Sequence, residues 1–286
     1  MQVSNYPKYI DKGIKEGFGS GSYDGYKPWI NVIGGPKGGR VSRIKGLKIK
    51  REHQLLSDLE RNILHILDFS DRVLDIREQY PLLPIQETLL IADELGIKHP
   101  TNPKNGELVV MTTDFNITLR TEDGSIDIFR TAKYEKDLYD SRVLEKFEIE
   151  REWCRRNNIN WGIITEKYID SSYILNLQAL RNRFDLSEVE GLSGLNENEI
   201  TYLKKIFLDK LHAAEGSGIP LIEITNDFDR RMSICPGVGI ALYHNLIATK
   251  WIEVNLYEKI NSAVPAKFHD NNLFIDVEDI SNAISL

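Results

Sequence analysis

The sequence predicts a mixed α/β protein in which a sheet-containing N-terminal domain precedes a smaller, mostly helical domain. Apolar residues recur at helical spacing in residues 53–69 and 140–157, while residues 108–133 alternate as two strands around a Glu122-Asp123-Gly124-Ser125 turn. Beyond residue 170 the patterns are chiefly helical. With 286 residues, of which 41% are hydrophobic, the chain is long enough for two buried cores.

Residues 1–51 form a basic segment on an acidic protein. They hold eleven Lys or Arg and three Asp or Glu, a net charge of +8 in a chain of net charge −7. The segment is rich in glycine, which predicts an arm with little regular structure. Its lysines alternate with aromatic residues, a composition suited to nucleic acid. The candidate DNA-binding residues are Lys12, Lys15, Lys27, Arg40 and Arg43.

Two alternatives for this arm remain open on the sequence alone. It could be a solvated tail without a partner, or Tyr26 and Trp29 could pin it to the body of the protein. The two cysteines, Cys154 and Cys235, lack motif spacing, which excludes a disulfide framework and a cysteine-based zinc site and favours a reducing cytoplasm. No signal peptide is recognisable and no apolar run approaches 18 residues, so we expect no membrane span.

The first helix, predicted over residues 53–69, places an acid at the margin of its buried face. Leu56, Leu59 and Ile63 belong to an apolar stripe, and Glu60 borders it, whereas Asp58 falls on the polar side. An isolated buried charge is costly, so Glu60 is either paired in a structural ion pair or functional.

The strand pair within residues 108–133 brings a second carboxylate and a lysine to one face. Asp114 lies on the first strand and Lys133 ends the second, and in an antiparallel pair the two share a face. A carboxylate pair with a lysine is what metal-dependent phosphodiester hydrolysis requires: the carboxylates hold Mg²⁺, and the lysine orients water or neutralises developing charge. We therefore predict a DNA endonuclease.

The remaining elements complete two domains. Helices at 85–94 and 140–157 and a buried strand at 161–165 turn residues 52–169 into an α/β sandwich. His99 is expected in a surface turn. Residues 170–286 show a helix at 196–215, a strand at 221–224, helices at 225–232 and 238–249, and a strand at 251–256, an order that resembles a winged helix-turn-helix. The last helix has no arginine, which favours protein docking over base recognition.

Several runs of residues together resemble the TnsA endonuclease subunit of Tn-seven-like transposons. They are Leu55-Leu56-Ser57-Asp58-Leu59-Glu60, the run 73–82, Gly96-Ile97-Lys98-His99-Pro100, Thr112-Thr113-Asp114-Phe115 and Leu144-Glu145-Lys146. The resemblance covers residues 10–168. It implies a restriction-endonuclease-like fold for residues 52–169, metal-binding roles for Glu60 and Asp114, and a catalytic role for Lys133.

The resemblance also predicts further ligands. The family has Gln two residues before the lysine, where this chain has Thr131. A hydroxyl is a weaker Mg²⁺ ligand than an amide or carboxylate oxygen. One metal position would therefore depend on the backbone carbonyl of Ala132. Glu150 aligns with an acid of the family.

The resemblance further implies Mg²⁺, with Mn²⁺ as a substitute, and a bacterial cytoplasmic protein. It implies cleavage at the 5′ ends of the transposon beside a TnsB-like transposase. A TnsC-like ATPase regulator would dock on the C-terminal domain, residues 170–286. Two alternatives remain: a catalytically silent DNA-binding or scaffold subunit, which Thr131 favours, and a standalone nuclease without partners.

Overall fold

The computed structural model describes residues 7–32 and 40–270, which fall into two compact units, one extending to Ile169 and the other beginning at Asp170. In the described parts of the chain, no helix is both long and apolar enough to cross a membrane. The two units are described separately below.

The N-terminal unit is built on a four-stranded sheet of order β3-β4-β5-β6. Its elements are α1 (Lys8–Lys15), β1 (Ser42–Lys45), β2 (Glu52–Leu55), α2 (Asp58–Phe69), β3 (Val73–Pro81), α3 (Ile85–Glu94), β4 (Thr112–Thr121), β5 (Gly124–Ala132), α4 (Ser141–Arg156) and β6 (Asn160–Ile164), with 3₁₀ turns at Tyr23–Gly25, Glu135–Tyr139 and Glu166–Tyr168. Strand β4 is antiparallel to both β3 and β5, whereas β6 runs parallel to β5. Strands β1 and β2 form a separate antiparallel hairpin.

Helices cover both faces of this sheet. On one face α2 buries Leu59, Ile63 and Leu67 against Phe115 and Ile117 of β4. On the other face the core joins residues of α3 and α4, including Ile91, Ile149 and Trp153, to Phe129 of β5. Ile128 and Phe129 of β5 belong to opposite cores because successive residues of a strand point to opposite faces. The predicted α/β sandwich is confirmed at this level.

The first predicted helix begins later than the sequence pattern indicated. His53 to Leu55 belong to β2, where Gln54 pairs with Arg43 and Leu55 with Ser42 of β1. Ser57 then caps α2, its hydroxyl accepting a hydrogen bond from the Glu60 amide at 3.1 Å. Serine is favoured at this position because it satisfies an amide that has no partner within the helix. The predicted helix over 85–94 is confirmed as α3.

The prediction that residues 1–51 form an arm with little regular structure is wrong for the residues that are described. Helix α1, a 3₁₀ turn and β1 lie within them. Tyr26 is only 3% exposed and donates from its hydroxyl to the Glu78 carbonyl of β3, and the Trp29 amide donates to the Gln79 carbonyl at 3.1 Å. The alternative in which Tyr26 and Trp29 pin this segment to the body is confirmed. The glycines between 33 and 39 lie outside the described residues.

His99 also differs from expectation, since it is buried rather than in an exposed turn. Its Nε2 lies 3.0 Å from the Thr88 hydroxyl on α3, and its Nδ1 lies 3.1 Å from the Pro100 carbonyl. These contacts tie the loop after α3 back to that helix.

Over residues 170–270, the C-terminal unit has four helices and a short two-stranded sheet. They are α5 (Ser171–Arg181), α6 (Glu197–Ala213), α7 (Leu221–Met232), α8 (Val238–Ala248), β7 (Ile252–Glu253) and β8 (His269–Asp270). The strand predicted at 221–224 is wrong: these residues open α7, where Leu221, Ile224 and Phe228 are buried at helical spacing. A four-residue apolar run is compatible with either element, and length and tertiary packing decide between them.

Candidate functional site

Glu60 stands in the first turn of α2, where its carboxylate folds back toward the start of the helix. Its Oε1 accepts from the Ser57 hydroxyl at 2.8 Å and its Oε2 from the Leu56 amide at 2.9 Å. The segment Ser57-Asp58-Leu59-Glu60 has the serine-to-glutamate spacing of a capping box, which orients an acid at a helix N-terminus. Glu60 is therefore buried and held in one orientation.

Asp114 lies where β4 and β5 stop pairing regularly. The register of the two strands extends to Phe115 opposite Arg130. Immediately beyond that pair, Asp114 Oδ2 accepts a hydrogen bond from the Ala132 amide at 2.7 Å. The carboxylate thus occupies the place of a backbone carbonyl at the end of the ladder.

Gln79 lies beside both acids. This β3 residue is 1% exposed, and its Nε2 donates to Glu60 Oε2 at 3.0 Å. Its neighbours in β3 pair with Phe115 and Thr113 of β4, which places Gln79 next to Asp114, and its side chain lowers the pKa of Asp114. Its backbone has φ of +50°, an uncommon value for a residue other than glycine. The sequence analysis missed Gln79, because a glutamine within a strand pattern carries no periodic signal.

The electrostatics of the two acids favour the neutral form when no cation is present. Burial raises the pKa of Glu60, and the negative charge of Asp114 raises it further. Burial also raises the pKa of Asp114; the Ala132 amide opposes this effect and the charge of Glu150 adds to it. Buried neighbouring carboxyl groups cannot both ionise cheaply unless a positive charge joins them.

Lys133 supplies one positive charge close to Asp114. It follows the last residue of β5, its charge lowers the pKa of Asp114, and its Nζ lies 3.8 Å from Asp137 Oδ2 in the 3₁₀ turn. The structure therefore brings the three residues predicted as catalytic, Glu60, Asp114 and Lys133, to the walls of one cavity of about 630 Å³.

Thr131 and Glu150 line the same cavity and contact each other. The Thr131 hydroxyl donates to Glu150 Oε1 at 2.5 Å, and the Trp161 indole donates to the same oxygen at 2.9 Å. Burial raises the pKa of Glu150, and these two hydrogen bonds oppose that effect. The role of Thr131 as a metal ligand stays a prediction. In that role its hydroxyl group would have to bind the ion while it also donates to Glu150.

The donor set suits a hard cation. Glu60 and Asp114 offer carboxylate oxygens, the ligands that Mg²⁺ prefers. Within residues 7–32 and 40–270, no group of three or more His, Cys, Asp or Glu residues is placed to hold a metal ion. A site built on two carboxylates remains compatible with Mg²⁺, which commonly takes one or two and fills its other positions with phosphate and water.

The predicted DNA-binding residues are all exposed, at several places on the N-terminal unit. Lys12 and Lys15 lie on α1, Lys27 donates to the Glu16 carbonyl, Arg40 lies 4.0 Å from Asp58 Oδ1, and Arg43 lies 3.6 Å from Glu52 Oε2. Exposed ion pairs of this kind contribute little stability, so they leave these cations available to a polyanion.

Two family models and one curated relative match the chain. The family described as TnsA-like endonuclease N terminal matches residues 70–166, and the family described as TnsA endonuclease C terminal matches residues 169–256. The transposon Tn7 transposition protein TnsA of Escherichia coli is 43% identical over 162 residues, covering 56% of this chain and 58% of that protein. Asp114 and Lys133 lie inside the N-terminal family match, whereas Glu60 precedes it.

Proposed function

Since the chain belongs to the TnsA endonuclease family, we propose that it is a metal-dependent DNA endonuclease subunit of a Tn7-like transposase. Its reaction is the hydrolysis of phosphodiester bonds at the 5′ ends of the transposon during excision. The observation that carries the proposal is the placement of Glu60, which is buried, and Asp114, which is half-buried, beside one glutamine and on one cavity, although the two acids come from distant parts of the chain.

The side chains present fit a magnesium ion, with manganese as a substitute. Glu60 and Asp114 would hold it, together with the carbonyl of Ala132. The Ala132 amide already faces Asp114, and the N–H and C=O of one strand residue point to the same side of the strand. When bound, such an ion supplies Lewis-acid polarisation of the scissile phosphate.

The protein's own groups would do the rest of the chemistry. Lys133 places an ammonium beside Asp114, where it neutralises charge that develops on the phosphate or orients the attacking water. The contact with Asp137 restrains Lys133 without burying it, so the ammonium remains accessible from the cavity. Glu150 lines the same cavity as Asp114, and hydrogen bonds from Thr131 and Trp161 hold its carboxylate in one orientation.

The exposed basic residues of the N-terminal segment support binding to the DNA at the transposon ends. We assign this contact to Lys12, Lys15, Lys27, Arg40 and Arg43, all of which face solvent. Neutralising phosphates with lysine and arginine releases counterions and provides affinity without sequence preference. Sequence preference would then come from the partner subunits.

We further propose that the subunit works in the bacterial cytoplasm beside a TnsB-like transposase that cuts the 3′ ends, and that a TnsC-like ATPase regulates it. The restriction-endonuclease-like domain would extend over residues 52–169 and a winged-helix-like docking domain over residues 170–286. The three helices α6, α7 and α8 followed by the β7–β8 pair support the second assignment.

The test is single substitution of each site residue. We expect Glu60→Ala, Asp114→Ala and Lys133→Ala each to abolish strand cleavage in a protein that still unfolds in one cooperative transition, because the three residues act as a unit. Asp58→Ala is the matched control, since Asp58 lies on the same helix turn, pairs with Arg61 and does not line the cavity. Inactivation by Asp58→Ala together with activity in Glu60→Ala would overturn the assignment.

A Mn²⁺ titration by calorimetry separates this proposal from a catalytically silent scaffold subunit. The enzyme should bind Mn²⁺ and lose binding in Asp114→Ala, whereas a scaffold would show no difference between the two proteins. Thr131 is the feature that favours the scaffold, because it replaces a longer oxygen-bearing side chain two residues before the lysine.

A further inference from the structure

We propose that Gln79 is a positioning residue that fixes the Glu60 and Asp114 carboxylates relative to each other for a divalent cation. The inference rests on the proposed function, and it assigns a role to a residue that neither the sequence pattern nor the carboxylate set identifies. Gln79 would not ligate the cation itself. It would act through the two acids that do.

The geometry of the amide suits this role. A glutamine side chain carries two N–H donors on one nitrogen. One of them donates to Glu60 Oε2 at 3.0 Å, and the β3–β4 register places the same residue next to Asp114. One planar group therefore sets the distance between an acid on α2 and an acid on β4, elements that belong to different parts of the sandwich. Such partners of metal ligands fix ligand orientation and are a determinant of metal affinity.

The backbone at Gln79 supports a functional rather than a packing role. A glutamine with φ of +50° in the middle of a strand is strained, and a conformation of this kind persists only where the surrounding structure imposes it. Strained residues of this type cluster at active sites.

The N-terminal segment imposes that conformation. The Trp29 amide donates to the Gln79 carbonyl at 3.1 Å, and the Tyr26 hydroxyl donates to the Glu78 carbonyl at 3.1 Å. Arg51 Nη2 donates to the Ile76 carbonyl at 2.7 Å. Three groups from residues 26–51 thus hold the backbone of β3 at Gln79 and in the residues that precede it.

The experiment measures Mn²⁺ affinity by calorimetry on the full chain, with the thermal transition of each variant recorded in parallel. Gln79→Met keeps the volume and removes the donors. Gln79→Gly removes the side chain and relieves the backbone, because glycine accepts positive φ. Gln54→Met is the matched control: Gln54 is a buried glutamine on β2 whose side chain accepts from the Val32 amide and does not line the cavity of the two acids.

We expect about 10- to 100-fold weaker Mn²⁺ binding in Gln79→Met and in Gln79→Gly, the range found when partners of metal ligands are removed. Gln54→Met should bind as the wild type does. A structural role alone would lower the transition temperature of Gln79→Met without changing Mn²⁺ affinity.

Wild-type affinity in Gln79→Gly would overturn the inference even if Gln79→Met fails to fold. If the wild type binds Mn²⁺ and Asp114→Ala does not, unchanged affinity in the Gln79 variants refutes the inference and leaves the proposed function standing. If the wild type itself binds no Mn²⁺, the proposed metal site fails and the inference falls with it.

Discussion

The contact between Arg51 and Glu78 should decide whether the N-terminal segment is an integral part of the catalytic unit. Glu78 is fully buried on β3 and accepts from Arg51 Nη1 at 2.7 Å and Nη2 at 2.5 Å, from His53 Nδ1 at 2.9 Å and from the Gln54 amide at 2.9 Å. We consider the substitution Arg51→Met, which keeps most of the aliphatic volume and removes the guanidinium.

Removing one partner of a buried ion pair costs about 3–5 kcal/mol, because the remaining charge stays buried without compensation. Burial raises the pKa of Glu78, but hydrogen bonds from Arg51 and His53 outweigh burial and lower it from 4.5 to about 2. The ionised form of Glu78 is therefore stabilised in the folded protein, and Arg51 is the first of the groups responsible.

The same shift fixes the pH dependence. A carboxyl group whose pKa is lowered in the folded protein stabilises it above the pKa of the unfolded chain, and that stability is lost as the pH falls through the folded value. The contribution of Glu78 is therefore complete above pH 4.5 and disappears toward pH 2. The difference in stability between wild type and Arg51→Met should be smaller at pH 3 than at pH 7.

The assay is denaturant unfolding followed by tryptophan fluorescence, because three of the four tryptophans, Trp29, Trp153 and Trp161, lie in this unit. Arg43→Met is the control: Arg43 pairs with Glu52 on the same hairpin at 3.6 Å, but both side chains are exposed, so the cost should stay below about 1 kcal/mol. Equal and small effects of both substitutions would refute the reasoning.

Three further results are expected. In the metal-free protein, Glu60 and Asp114 have raised pKa values, so as the pH rises they lose their protons in the unfolded chain before they do in the folded protein. The transition temperature should therefore fall as the pH rises from about 4 toward neutrality, and saturating Mn²⁺ should remove this pH dependence. A metal-free transition temperature that does not change with pH would contradict the pKa shifts. Thr131→Gln should lower the Mg²⁺ concentration at which nicking is half-maximal, because the longer amide side chain reaches into the cavity that residue 131 lines. An unchanged or higher concentration would show that residue 131 does not face the ion. Lys12 and Lys15 lie on the exposed side of α1, and both are replaced by Glu. The slope of log K for DNA binding against log[salt], measured by fluorescence anisotropy, should become smaller in magnitude by about 0.9 for each lost phosphate contact. An unchanged slope would exclude α1 from the DNA interface.

The salt experiment uses substitutions because the structure makes deletion of residues 1–51 uninformative. Such a deletion removes β1 and the buried Tyr26, and with them the support of β3. Loss of DNA binding after deletion would therefore report damage to the fold as readily as loss of charge. Exposed lysines on one helix avoid this ambiguity.

Local sequence patterns determined the elements whose signals are complete within a few residues. The alternation around Asp114, the helix α3 and a turn between the two strands follow from side-chain periodicity and turn composition, which act over one strand or one helix. The turn itself is shorter than predicted: it comprises Glu122 and Asp123, and Gly124 and Ser125 already belong to β5. The position of Lys133 close to Asp114 also follows from the local sequence, because two consecutive strands joined by a tight turn pair with each other in a register that the turn sets.

Only the tertiary structure decided what surrounds those residues. The contacts of Tyr26 with Glu78 and of Gln79 with Glu60 join positions 52 and 19 residues apart, and no local period encodes such a contact. The segment at 221–224 became helical because α7 buries Leu221 and Phe228 on one face, although the same four apolar residues are compatible with a strand. Side-chain periodicity specifies which face of an element is apolar, whereas the partner that covers this face is fixed by the packing of the whole chain.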